Sequence, residues 1–149
     1  MKTIRPFVFA LSLALGALAG CGDVAEGGAA AITVTPLDQS WSLDGVGAWR
    51  VPVSIGVTAD ASRQISAGSL TVRADWTWEL RYDYRDLGAN LDASGTHVSA
   101  GTYRAREGAP STFDFRNAAT GSVYVATVNA DGSVDLPLGG LRYHFVVPQ

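Results

Sequence analysis

Cysteine and histidine are scarce in this sequence of 149 residues, which contains one cysteine, Cys21, and two histidines, His97 and His144. A single cysteine excludes an intramolecular disulfide, so a folded domain must be held together by its core. Two unrelated histidines and no second thiol are a poor basis for a transition-metal site. We therefore predict neither a bound metal nor a cofactor.

Local catalytic motifs are also missing. The sequence contains no His-Glu-x-x-His zinc motif, no Gly-x-Ser-x-Gly nucleophile motif and no phosphate-binding glycine loop. No catalytic residue can be named from the sequence, and a protein that is not an enzyme is favoured. A hydrolase whose carboxylates are brought together by the fold remains an alternative, because glycosidase sites need no local motif.

The N-terminus has the layout of an export signal. Lys2 and Arg5 precede an apolar run over residues 7–18, which is shorter than the roughly 20 residues of a membrane-spanning helix. The run ends in Leu18-Ala19-Gly20-Cys21, which resembles the lipobox of bacterial lipoproteins at all four positions. The resemblance implies that residues 1–20 are a signal peptide and that Cys21 becomes the lipidated N-terminus, carrying fatty-acyl chains such as palmitate.

This resemblance also implies a cellular location. The lipid at Cys21 would anchor the mature chain to a membrane of the cell envelope, with the outer membrane favoured because Gly22 follows the cysteine. Without Lys2 and Arg5, nine basic residues face 14 acidic ones, a net charge of −5. Such a chain is not expected to bind nucleic acid.

Composition divides the mature chain into two parts. Residues 21–31 carry the lipid site followed by small and polar residues, which predicts a flexible tether. Residues 32–149 are expected to form a single β-domain, since this length suits one core.

The second part alternates between apolar and polar residues with a period of two, which indicates strands. The clearest stretch is Leu70–Arg85, where apolar side chains hold the even positions and polar ones the odd positions. As one strand it would span about 53 Å, far longer than usual. Asn129-Ala130-Asp131-Gly132 predicts a hairpin turn. The strands predicted are residues 32–35, 49–59, 70–85, 97–106, 112–116, 122–128, 133–136 and 141–147.

Seven or eight short antiparallel strands suit two architectures. On strand count we predict an all-β fold and, first, an immunoglobulin-like β-sandwich. A small up-and-down β-barrel of the lipocalin type is the alternative. The predicted signal peptide before Cys21 does not distinguish between these two folds.

Four tryptophans are the candidate binding residues. Trp76 and Trp78 share the apolar face of the long strand and could stack on sugar rings, although burial in the core is the stronger expectation. Trp41 and Trp49 flank a short loop and are better candidates for exposure, although such residues more often pack at the end of a sheet. Oxygen donors for a cation could come from the loop residues Asp86, Asn90 and Asp92, but such residues are common in loops.

Three functions follow from these features. The favoured one is a lipid-anchored envelope protein whose non-catalytic β-domain contacts a protein or a polysaccharide. The others are a carrier of a small ligand inside a β-barrel and the hydrolase with a dispersed carboxylate site.

Overall fold

The computed structural model describes residues 35–149. The predicted signal peptide, the lipid site Cys21, the tether and most of the strand predicted at residues 32–35 lie outside the described residues. Among residues 35–149, no helix has the length and apolar character required to cross a membrane.

Ten β-strands make up the described chain, and all paired strands run antiparallel. The all-β prediction is confirmed. The strands are β1 (Gln39–Val46), β2 (Trp49–Arg50), β3 (Val53–Thr58), β4 (Ala61–Val72), β5 (Thr77–Gly88), β6 (Leu91–Arg106), β7 (Ala109–Asn117), β8 (Val123–Val128), β9 (Val134–Leu138) and β10 (Leu141–Val146).

The sheet closes on itself, so the predicted immunoglobulin-like sandwich is wrong. Strand β1 pairs with β10, where Ser42 is opposite Val146, and with β4, where Trp41 is opposite Leu70. Strands β4 to β10 each pair with the next one along the chain. Eight strands, β1 and β4–β10, therefore form a closed antiparallel barrel, the architecture that the sequence analysis placed second. Along the sequence, the short strands β2 and β3 lie between β1 and β4.

The predicted 16-residue strand is a hairpin. Strand β4 ends at Val72, and β5 begins at Thr77 and runs back along it, with Leu70 opposite Leu80 and Val72 opposite Trp78. The four-residue connection preserves the even positions on the inner face, so the alternation continues through the reversal. The turn at Asn129 is confirmed, since the amide of Asn129 donates to the carbonyl of Ser133 at 2.8 Å.

Side chains fill the interior of the barrel. An eight-stranded barrel is just wide enough for its own side chains to occupy, and here the largest fully buried ones are aromatic. Trp78 contacts Phe115 edge to face at a ring distance of 5.4 Å, and Tyr103 stacks on Phe115 at 5.6 Å. The interior is thus a packed aromatic and aliphatic core.

Three barrel strands run beyond the point where the barrel closes. Strand β1 pairs with β4 only over residues 69–72, and β7 pairs with β6 only over residues 101–106. Past these points β5 and β6 remain paired without interruption to Gly88 and Leu91. We call this region the extension; it consists of β3 with residues 61–66 of β4, 83–88 of β5 and 91–99 of β6.

Candidate functional site

Two of the four candidate tryptophans lie in the core. Trp41 is 2% exposed and donates its indole N–H to the carbonyl of Gly132 at 2.8 Å. Trp78 is 1% exposed and donates to the carbonyls of Thr102 and Arg116 at 3.1 and 3.2 Å. The expected burial is confirmed for Trp78. Trp41, named as a better candidate for exposure, is instead a packing residue, because its side chain points into the closed barrel.

The other two tryptophans are nearer the surface. Trp49, in β2, is 72% exposed, as expected. Trp76 is half-buried in the β4–β5 connection, where its ring packs on Tyr103 at 5.1 Å and its φ is 65°. The structure does not bring the four rings together as one surface, and Trp49 is the one of the four that remains available to a ligand.

A different group of aromatic and charged side chains lies on the inner face of the extension and on Tyr82, the β5 residue that borders it on the barrel side. Tyr82 of β5 is directly opposite His97 of β6, and their rings stack at 4.7 Å with an interplanar angle of 22°. Tyr84 follows two residues later on the same face, opposite Gly95. A Cβ at Gly95 would lie 3.1 Å from the Tyr84 hydroxyl oxygen, so the tyrosine lies across β6 where there is no side chain.

An arginine completes this face. Arg63 of β4 is opposite Asp86 and binds it with two parallel hydrogen bonds, Nε to Oδ1 at 2.6 Å and Nη2 to Oδ2 at 2.7 Å. The guanidinium carbon also lies 4.1 Å from the centre of the Tyr84 ring, in cation–π contact. The side-chain hydrogen bond from Arg63 lowers the pKa of Asp86. We call Arg63, Tyr82, Tyr84, Asp86, His97 and Ser99 the tyrosine–histidine face.

His97 is the titratable group of this face that lies next to a hydroxyl group, the side chain of Ser99. Its Nε2 lies 2.9 Å from Oγ of Ser99, and burial together with the positive charge of Arg63 lowers its pKa. A neutral histidine beside a serine has the arrangement of a nucleophile–base pair, in which the histidine is the base and the serine is the nucleophile. Within residues 35–149, however, no carboxylate hydrogen-bonds to His97 to orient it, so the pair lacks the third member of a triad.

The tyrosine–histidine face joins the core of the barrel at Tyr82. The ring of Tyr82 lies 5.9 Å from that of Tyr143 on β10. Burial, followed by the neighbouring Tyr82, raises the pKa of Tyr143 to about 12, which keeps this hydroxyl protonated. The end of the face nearer the barrel is therefore buried, whereas Tyr84, Asp86 and His97 are half-buried.

Both edges of the extension, β3 and residues 91–99 of β6, have no further neighbouring strand within residues 35–149, and the edge on β6 is the longer of the two. The amide of Ala118 donates to the carbonyl of Ala100, and the amide of Tyr103 donates to Trp76 on the opposite side. Because backbone groups alternate along a strand, the even residues of β6 point their N–H and C=O groups away from β5. Along the free edge these groups belong to Asp92, Ser94, Thr96 and Val98.

The side chains along this edge leave it accessible. Natural edge strands are commonly protected by lysine, proline or a bulge. Residues 91–99 contain no lysine or proline, and their pairing with β5 has no bulge. Val98 is 51% exposed on the outer face, and Gly95 has no side chain. We call residues 91–99 the β6 edge.

Two of the three suggested cation donors, the carboxylates, already have partners. Asp86 binds Arg63, and Asp92 binds Arg85 through two hydrogen bonds of 2.7 and 2.6 Å. Within the part of the chain that the structure describes, no cluster of three or more histidine, cysteine or carboxylate side chains could hold a metal ion.

Sequence reasoning missed the extension because residues 61–69 contain few large apolar side chains and gave no strand signal. It assigned Tyr82 and Tyr84 to the correct face but did not place His97 or Arg63 beside them. The signal that was available is the joint alternation of Tyr82 and Tyr84 with His97 and Ser99, which indicates two strands sharing a face.

Comparison with known proteins found no matching family model, no matching curated protein and no matching solved structure.

Proposed function

We propose that this chain is a lipid-anchored cell-envelope protein whose barrel is a non-catalytic module for contact with another envelope protein. The anchor rests on the resemblance of Leu18-Ala19-Gly20-Cys21 to a lipobox. The contact rests on the extension, since it presents a regular strand with an open edge to the surroundings.

The observation that carries the proposal is the β6 edge. Its backbone donors and acceptors lie in a row and match an added polypeptide strand, which is a common way of recognising an extended peptide. The added strand would have Val98 beside it on the outer face and Tyr84 and His97 beside it on the inner face. A polysaccharide would use the aromatic rings but has no row of amides to match the edge.

Two observations favour contact at the surface over the other functions considered. Trp41, Trp78, Phe115 and Phe145 occupy the barrel interior, where a carrier protein would hold its small ligand. Among the carboxylates of the extension, Asp86 and Asp92 are engaged by arginines, and Asp83 accepts a hydrogen bond from the hydroxyl of Thr96 at 2.7 Å. A glycosidase needs one carboxylate as an acid and another as a base or nucleophile.

Photo-crosslinking in cells tests the contact. A photoreactive residue at Thr96, on the β6 edge, is compared with one at Arg142, which is exposed on β10 of the barrel wall. We expect a discrete adduct with an envelope protein from position 96 and none from position 142. The change Val98→Pro, made in addition, should abolish the adduct while the barrel stays folded, because the amide of residue 98 points to the free edge.

Equal adducts from both positions would contradict the proposal, as would an adduct that survives Val98→Pro. An adduct that glycan-degrading enzymes remove would show that the extension contacts a polysaccharide instead.

A further inference from the structure

We propose a second site, distinct from the extension, that binds a phosphate group on the outer surface of the barrel. It lies on β6, β7 and β8, where outward-facing side chains form two adjacent rows. In the first row Thr102 is opposite Arg116, which is opposite Val123. In the second row Arg104 is opposite Asp114. These five residues, with Tyr103, surround a depression of about 200 Å³, which we call the arginine groove.

Positive charge is concentrated in this groove. Arg104 reaches Oδ2 of Asp114 through Nε and Nη2 at 3.3 and 3.2 Å, and Nη2 of Arg106 lies 3.1 Å from Oδ1. Two guanidinium groups therefore share one carboxylate. Arg116 points into the same depression, and within residues 35–149 it forms no ion pair. Two arginines thus line the groove with a single aspartate, and Arg106 contacts that aspartate from the adjoining depression, in a chain whose overall net charge is negative.

Asp114 acts in this arrangement as a positioning residue. Its side chain is 11% exposed. Its Oδ1 is buried and has an ion-pair contact with Arg106, but no group in the described part of the chain is oriented to donate a hydrogen bond to it. A buried carboxylate of this kind is stabilised by fixed positive neighbours, so it holds Arg104 and Arg106 in place. The neighbouring carboxylate of Glu107 lines an adjoining depression, which shares Arg104 and Asp114 with the arginine groove and also contains Arg106.

The donors of the groove suit a phosphate. The free fork of Arg116 can bind two phosphate oxygens in parallel, the outer N–H groups of Arg104 can bind a third, and the hydroxyl of Thr102 adds one donor. A carboxylate has too few oxygens to use all three groups. Val123 is 53% exposed at the rim and offers an apolar contact to the group that carries the phosphate. That group could be a sugar or a lipid headgroup, and both are present in a cell envelope.

Binding is tested with two probes that separate these sources, glucose 1-phosphate and vesicles containing phosphatidylglycerol. The full-length chain in detergent is titrated with glucose 1-phosphate and followed by amide chemical shifts. Vesicle binding is measured by co-sedimentation of the Cys21→Ala chain, and the binding that remains when Arg116→Ala is added to it is subtracted as the contribution of residues 1–20. We expect saturable binding of one probe, with shifts confined to residues 102–104, 114–116 and 123. Arg116→Ala should weaken it about tenfold or more, because hydrogen bonds to charged groups are the strong ones.

Arg81→Ala is the matched control, because Arg81 lies on the outer face of β5 opposite Val98 and forms no ion pair within residues 35–149. It removes the same charge and should leave binding unchanged. Arg116→Lys keeps the charge without the fork and should give intermediate affinity. Equal weakening by Arg81→Ala and Arg116→Ala would overturn the proposal by showing general charge attraction. Failure of both probes to saturate would also overturn it.

Discussion

Trp78 lies directly opposite Gly101 in the β5–β6 ladder, and the missing side chain at Gly101 lets β7 approach closely. A Cβ at this position would overlap the carbonyl oxygen of Arg116. The same carbonyl accepts a hydrogen bond from the Trp78 indole at 3.2 Å. This is also the point where β6 stops pairing with β7 and continues into the extension paired with β5 only. The glycine and the tryptophan together fix where the barrel wall ends.

Gly101→Ala is therefore expected to destabilise the domain by about 1–3 kcal/mol or more, since the added methyl group must displace backbone. The matched control is Gly56→Ala in β3, where an added Cβ meets no atom within 4 Å. That change should alter stability by less than about 1 kcal/mol. Urea unfolding of both variants provides the measurement, and equal midpoints would show that β6 and β7 are not in close contact at Gly101.

Trp41→Ala and Trp49→Ala compare the same truncation at two depths. Trp41 is buried in the barrel, so its loss should cost roughly 3–5 kcal/mol from lost burial and the cavity that remains. Trp49 is largely exposed, and its loss should cost less than about 1 kcal/mol. Thermal or urea unfolding measures both. A severe loss for Trp49→Ala would place its ring in the core and remove it as a candidate binding residue.

The sequence predicted the strands of the second half well, because they alternate and end at recognisable turns. Strands β8 and β9 around Asn129 are the best example. The sequence did not predict the turn between β4 and β5, because Trp76 adopts a positive φ there without the glycine that usually indicates such a turn. The even-numbered residues also point into the barrel on both sides of this turn, so the alternation shows no break at the reversal.

Closure of the barrel could not be predicted from local patterns. It depends on Trp41 pairing with Leu70 and on Ser42 pairing with Val146, across separations that strand propensity does not encode. Strand β1 itself was missed because Ser40, Ser42 and Asp44 dilute its apolar residues. The extension was missed for the same reason at residues 61–69. The tyrosine–histidine face depends on both elements and was therefore found only in part.

His97 should make stability depend on pH. Burial, and then Arg63, lowers the pKa of His97 below its ordinary value of 6.5. As the pH falls below about 6.5, the unfolded state takes up the proton more readily than the folded state, so stability is full above this value and decreases toward pH 5.5. Asp86, with its own lowered pKa, loses its contribution only near or below pH 4.

Replacing the histidine tests this assignment. His97→Gln should reduce the difference in urea midpoint between pH 7.5 and pH 5.5 relative to the unchanged chain. If the variant keeps the full difference, another group is responsible for the pH dependence in this range.

Cys21→Ala tests the proposed anchor. Without the thiol no diacylglyceryl group can be attached, so we expect the protein to leave the membrane fraction and accumulate as soluble or unprocessed chain. Cell fractionation with immunoblotting measures the distribution, and metabolic labelling with palmitate measures the lipid. A variant of mature length that still fractionates with membranes would contradict lipidation at Cys21.

The central claim, that the β6 edge receives a strand from another envelope protein, is tested most directly by residue-resolved hydrogen exchange on the full-length chain in detergent. Alone, the amides of Asp92, Ser94, Thr96 and Val98 should exchange rapidly, while those of the odd residues 93–99, which face β5, exchange slowly. Adding the purified protein that crosslinks to position 96 should slow the four even amides and leave the barrel strands unchanged. Protection that appears elsewhere on the barrel, with these four amides still exchanging rapidly, would contradict the account.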